Sequence, residues 1–163
     1  MKTIRQLLAA MLLALPAAMT AQDTEIWVSF VDNPNRESNG IYGFPASDPK
    51  ALTAKKTAPE LYFQKGTGYQ DGTIYGMDYK QGFFTPDRYI LYAVDTKTWS
   101  VTSRDVSSSL ALKETANGAD GTVYALFDDG RLGTLDYTTL TRTDIATPQR
   151  SYAALGVTGM GDL

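Results

Sequence analysis

Asp71-Gly72-Thr73-Ile74-Tyr75-Gly76 returns 49 residues later as Asp120-Gly121-Thr122-Val123-Tyr124-Ala125. Four of the six positions are identical, and Ile/Val and Gly/Ala are close replacements. Self-similarity at a fixed period is the mark of an architecture built from one supersecondary unit. The match runs backwards at the same offset. Leu61-Tyr62-Phe63 falls on Leu110-Ala111-Leu112, and residues 65–70 fall on 114–119, both read as glycine-containing connectors. It also runs forwards. Ile90-Leu91-Tyr92-Ala93-Val94-Asp95-Thr96-Lys97-Thr98-Trp99 and Arg131-Leu132-Gly133-Thr134-Leu135-Asp136-Tyr137-Thr138-Thr139-Leu140 both read as strand, tight turn, strand. An Asp that opens a turn bonds the backbone two residues on, which accounts for Asp95 and Asp136 at the corners. A third, degraded copy runs from Ile41-Tyr42-Gly43-Phe44-Pro45 through Lys50-Ala51-Leu52.

Each unit holds four short segments rich in Tyr and β-branched residues, the composition strands prefer. The expected strands are 61–64, 73–78, 89–94 and 99–105 in the second unit. In the third they are 110–113, 122–127, 131–135 and 139–145. Glu25-Ile26-Trp27-Val28-Ser29-Phe30-Val31 stands where a second strand belongs in the first unit. Residues 123–127 are continuously apolar, which predicts burial on both faces, whereas Trp99-Ser100-Val101-Thr102 alternates and predicts one wet face. Inner strands covered on both sides and wetter outer strands suit sheets stacked between neighbours. The expected fold is therefore all-β. It consists of tandem four-stranded antiparallel blades at about 24–57, 58–105 and 106–147, with the start of a fourth at 148–163 opened by residues 151–157. A β-sandwich is the alternative. Tyr42, Tyr75, Tyr92 and Tyr124 recur at repeat positions and are expected in the core.

The pattern DGT[IV]Y[GA], a short turn, then LxxLD, a turn, [LW] and T resembles secreted β-propeller repeats of the broad kind that includes the NHL and kelch-like families. The resemblance covers residues 24–147. It implies blade architecture and says little about function, because propellers host enzymes, receptors and scaffolds alike. Propellers close with 4–8 blades, and about three are visible in this sequence. A partial propeller of this kind leaves blade faces open, so self-association through them is expected.

Residues 1–21 do not belong to the repeats. Lys2 and Arg5 precede the apolar run 7–18, and small residues lead to Thr20-Ala21 before Gln22-Asp23. This is the layout of a secretory signal peptide, with cleavage expected after Ala21; an uncleaved anchor is the alternative. The stretch ending Thr20-Ala21-Gln22 resembles signal peptides of Bacteroidota exported proteins, which implies a periplasmic or extracellular location. Without Lys2 and Arg5 the chain carries 13 Lys and Arg against 18 Asp and Glu, a formal charge of −5. That balance disfavours a nucleic-acid partner. No later apolar segment is long enough to span a membrane as a helix. Cysteine and histidine are absent. Disulfides, zinc-thiolate sites, Ser-His-Asp catalysis and HExxH chemistry are thereby excluded for this chain alone. No cofactor and no catalytic residue is indicated.

The links between the second and third strands vary between units: 32–39, 79–88 and only Asp128-Asp129-Gly130. Variable loops on a regular scaffold are where binding is placed. Asp32, Asn35, Tyr79, Phe83, Phe84 and Arg88 are the candidates for a face that binds a protein or carbohydrate. Residues 32–40 are rich in oxygen ligands, yet Pro34 and Arg36 break the spacing of a calcium loop, and a solvated loop is the preferred reading. Phe83 and Phe84 could stack on a ligand, but a local core tucked under the loop is the favoured reading. Asp71, Asp95, Asp120 and Asp136 read as turn residues, and no pair of carboxylates stands out for glycosidase chemistry. Residues 118–121 open no helix, so they form no phosphate loop. The leading function is an exported, non-enzymatic binding or scaffold module. The alternative is a fragment of a propeller hydrolase or lyase acting on an extracellular polymer such as polysaccharide.

Overall fold

The computed structural model describes residues 24–31, 36–152 and 154–157. The expected signal peptide and the candidates Asp32 and Asn35 lie outside the described residues. The described chain is all-β, in three antiparallel sheets. Sheet I contains β1 (Glu25–Phe30), β2 (Gly40–Pro45) and β3 (Thr53–Thr57). Sheet II contains β4 (Lys65–Gln70), β5 (Thr73–Lys80), β6 (Arg88–Asp95) and β7 (Val101–Val106). Sheet III contains β8 (Leu112–Asn117), β9 (Val123–Phe127), β10 (Leu132–Asp136) and β11 (Thr141–Ala146). Each sheet is a meander of neighbours in chain order. There are three sheets rather than the two of a sandwich, and among the described residues none closes on itself. No helix among the described residues is long and apolar enough to cross a membrane.

The turns follow from residue chemistry. Asp71 and Gly72 both take positive φ, 49° and 78°, which closes the β4–β5 hairpin in two residues. The Asp95 carboxylate accepts hydrogen bonds from the Lys97 and Thr98 amides, and the Asp136 carboxylate accepts them from the Thr138 and Thr139 amides. Both turns end on a residue in the left-handed region, Trp99 at 56° and Leu140 at 57°. The repeat thus extends to backbone conformation. Asp120 likewise accepts from the amide and hydroxyl of Thr122.

Sheet II lies between the other two. Ile74, Ile90, Tyr92 and Val94 pack toward Ile41 of sheet I, while Tyr75, Met77 and Leu91 pack toward Val123, Ala125 and Phe127 of sheet III. Period-2 alternation along β5 and β6 thus feeds two cores. This explains why these strands read as continuous apolar runs.

The first strand of each four-stranded sheet departs from expectation. Segments 61–64 and 110–111 are not strands, and the supposed connectors hold β4 and β8 instead. Leu61, Phe63, Leu110 and Ala111 are apolar because they are buried links packed into the cores. β4 reads as a connector because its centre is Gly66-Thr67-Gly68. A Cβ on Gly68 would come within 2.8 Å of the Tyr137 ring, so only glycine fits there. The same shift applies at 151–157. The described residues of this segment form no strand, and Tyr152, Ala154, Leu155 and Gly156 lie with Pro148 beside Leu126 and Leu132, on the face of sheet III turned away from sheet II. Two of the four recurring tyrosines also differ from expectation. Tyr75 and Tyr92 are buried, but Tyr42 and Tyr124 are half-buried on the outward faces of sheets I and III.

Candidate functional site

The links between second and third strands are 81–87 in sheet II and 128–131 in sheet III, and of the β1–β2 link residues 31 and 36–39 are described. Lys65, at the start of β4, bonds both carboxylate oxygens of Asp128, at 3.0 and 2.9 Å, and so ties sheet II to the short loop of sheet III. The Lys65 ammonium also lies 5.9 Å from the centre of the Tyr79 ring, and Tyr79 packs against Tyr89 at 5.2 Å. The Tyr79 hydroxyl donates to Asp87 at 2.7 Å, and the Gly82 amide donates to the same carboxylate at 3.0 Å. Asp87 therefore shapes the base of the loop. These bonds lower the pKa of Asp87 and push Tyr79 up to about 12.

Phe83 and Phe84 stand beyond this base. They are 91% and 96% exposed and touch each other edge to face, with ring centres 5.2 Å apart. The expected local core under the loop does not form. The contacts at the loop base are polar instead, from the Tyr79 hydroxyl and the Gly82 amide to Asp87.

Arg88 sits on the other face of the hairpin. It forms a bidentate pair with Asp105 at 2.8 Å, and both side chains are 57% exposed, so the pair adds little stability. Tyr79 pairs with Tyr89 across the hairpin and Lys80 pairs with Arg88, which puts Tyr79 and Arg88 on opposite faces. The structure thus gathers Tyr79, Phe83 and Phe84 on one hairpin and separates Arg88 from them.

Two features escaped the sequence reading. Asp78 is a carboxyl buried in β5, on the face toward sheet I. Burial raises its pKa, and the nearby cations Lys80, at 4.0 Å, and Arg36 oppose the rise. The signal was an acidic residue inside the apolar run Ile74-Tyr75-Gly76-Met77-Asp78-Tyr79. The other feature is a cavity of about 400 Å³ between β1 and β4, lined by Trp27, Ser29, Thr67, Tyr69, Ile74 and Asn117 among others. Its aromatic wall is formed by Trp27 and Tyr69, with ring centres 6.3 Å apart. No local motif announces it, because it arises where two sheets meet.

No family model matches this chain, and the curated proteins contain no match. The functional reading therefore stands on this geometry.

Proposed function

We propose that the chain is an exported, non-enzymatic binding or scaffold module whose sheets are blades of the β-propeller type. Stacking of a three-stranded and a four-stranded meander on the two faces of sheet II supports the blade reading. The binding surface is the β5–β6 loop, and the observation that carries it is the exposure of Phe83 and Phe84 side by side. Two aromatic rings left in water at one loop tip suit a partner that buries them. Their edge-to-face arrangement offers no flat platform for a sugar ring, so an apolar pocket on a protein is the better complement. The enzyme alternative gains no support from Asp78, which is packed between sheets I and II and does not line the cavity at β1.

The test compares the full chain with a Phe83→Ser/Phe84→Ser double variant. Retention of cell-envelope proteins and of soluble polysaccharides is measured on each, together with melting temperature. The expected result is unchanged melting with loss of protein retention. Equal retention by both forms contradicts the proposal, and selective retention of polysaccharide moves the ligand class to carbohydrate.

A further inference from the structure

The cavity between β1 and β4 has the walls of a small-molecule site. All three sheets contribute to it: Trp27 and Ser29 from β1, Thr67 and Tyr69 from β4, and Asn117 from β8. Ser29 lies opposite Ile41, which is buried toward sheet II, so Trp27 and Ser29 share the face of sheet I turned to sheet II. Tyr69 lies opposite Ile74 and shares the face of sheet II turned to sheet I. At about 400 Å³ the space is in the range that holds small ligands.

The aromatic rings are exposed yet held in place. Trp27 is 38% and Tyr69 45% exposed. The Trp27 indole N–H donates to Glu25 at 2.9 Å, and the ring packs edge to face with Trp99, centres 5.7 Å apart. Tyr69 is fixed through its backbone. Its amide donates to the Asn117 side-chain oxygen at 3.0 Å, and its carbonyl accepts from the Asn117 side-chain nitrogen. One residue of sheet III thereby clamps the ring-bearing residue of sheet II. Groups fixed before a ligand arrives lose little freedom on binding it.

The polar groups beside the rings define what fits. The Ser29 and Thr67 hydroxyls line the cavity and have no hydrogen-bond partner among the described residues. Each hydroxyl can donate and accept. Asn117 gives one amide hydrogen to Tyr69 and keeps the other. Glu25 is the one charged residue among the described lining residues, and it is paired with Lys55, so the recess presents no net charge. The molecule that meets all of this is neutral, carries several hydroxyls and has an apolar face. A pyranose has these properties. Its C–H bonds carry slight positive charge and lie well on the negative face of an aromatic ring. One ring face suffices where hydrogen-bonding groups stand beside it, and this recess, unlike a bare pair of rings, supplies both.

We propose that this cavity is a second binding site, for a neutral pyranose residue, with Tyr69 as the stacking ring and Ser29, Thr67 and Asn117 as the hydrogen-bonding partners. It does not depend on the Phe83–Phe84 surface. Tyr69 lies opposite Ile74 near the start of β5, whereas Phe83 and Phe84 follow the end of that strand at Lys80. At about 3.4 Å per residue the two places are about 20 Å apart along the strand.

The chain has two tryptophans, Trp27 and Trp99, which makes the test direct. Trp99→Phe leaves Trp27 as the only indole, so its fluorescence reports on the cavity. This chain is titrated with the methyl glycosides of glucose, galactose, mannose and N-acetylglucosamine, and with glucuronate. A saturable change in emission is expected with at least one neutral glycoside, at a Kd of about 1 mM, with weaker binding of glucuronate. Calorimetry on the unmodified chain should give the same affinity. Tyr69→Ala should weaken binding at least tenfold. Ser29→Ala and Thr67→Val each remove one hydroxyl and should weaken it about three- to tenfold with melting temperature unchanged. The Phe83→Ser/Phe84→Ser chain should bind as the unmodified chain does, which separates this site from the loop. No saturable binding of any of the four neutral glycosides overturns the proposal. So does tighter binding of glucuronate, and so does binding that both hydroxyl variants leave unchanged.

Discussion

Tyr137 offers the sharpest test of how sheets II and III are joined. Its side chain is fully buried and stacks on Tyr75, with ring centres 4.3 Å apart and planes 6° apart. Its hydroxyl donates to the Gly66 carbonyl at 3.1 Å, its amide donates to the Gln70 side chain, and its carbonyl accepts from Arg104. Tyr137→Phe keeps the stack and leaves the buried Gly66 carbonyl without its partner, a loss of about 1–3 kcal/mol. Tyr137→Ala empties the site and should cost about 3–5 kcal/mol. At about 4 °C per kcal/mol for a chain of this size, the shifts in melting temperature are about 4–12 °C and about 12–20 °C. Burial raises the pKa of Tyr137. A raised tyrosine pKa favours the protonated form when folded, so its stability contribution is complete below the unfolded value near 10 and is lost as pH rises above it. The slope is about 1.4 kcal/mol of lost stability per pH unit, and Tyr137→Phe should flatten the alkaline limb accordingly. Urea melts between pH 7 and 11 read both effects. If Tyr137→Phe melts within a degree of the unmodified chain and keeps its alkaline profile, Tyr137 is not sealed between two sheets and the stacking described here is wrong.

Other expectations are simpler. Asp136→Ala should lower melting at pH 7, because the Thr138 and Thr139 amides lose their acceptor. The difference from the unmodified chain should shrink as pH falls through the lowered pKa of Asp136, since a depressed carboxylate stabilises only while ionised. Gly76→Ala should cost about 1–3 kcal/mol by chemical melt, because its methyl group would fall 2.2 Å from the Phe63 ring. N-terminal sequencing of the protein recovered from the periplasm or medium should begin near Gln22, and an intact Met1 on folded protein removes the export proposal.

The second, third and fourth strands of the repeat were legible because their signal is local. Asp95 and Asp136 open turns of the same conformation, and the runs at 73–78, 89–94 and 123–127, apolar apart from Thr73 and Asp78, lie within β5, β6 and β9. The first strands, β4 and β8, were not legible, because what identifies them is tertiary. Gly66 and Gly68 look like loop residues until Leu112 and Tyr137 are seen packed on them. Leu61 and Leu110 look like strand residues because buried links and buried strands have the same composition. For the candidate site, loop length between second and third strands pointed to the 79–88 hairpin. The faces of that hairpin depended on register, which separates Tyr79 from Arg88. The exposure of Phe83 and Phe84 and the bonds of Asp87 to Tyr79 and Gly82 belong to the loop's tertiary conformation, which no pattern in the sequence reveals.

Among the described residues no sheet packs on the outward faces of sheets I and III, and Ile26 and Phe30 are exposed on the first of them. Light scattering on the chain purified at tens of micromolar tests the proposed partial propeller most directly. The expected mass is two or more copies, because open blade faces favour association. A stable, cooperatively melting monomer would contradict the partial-propeller reading and show that the chain completes its own core.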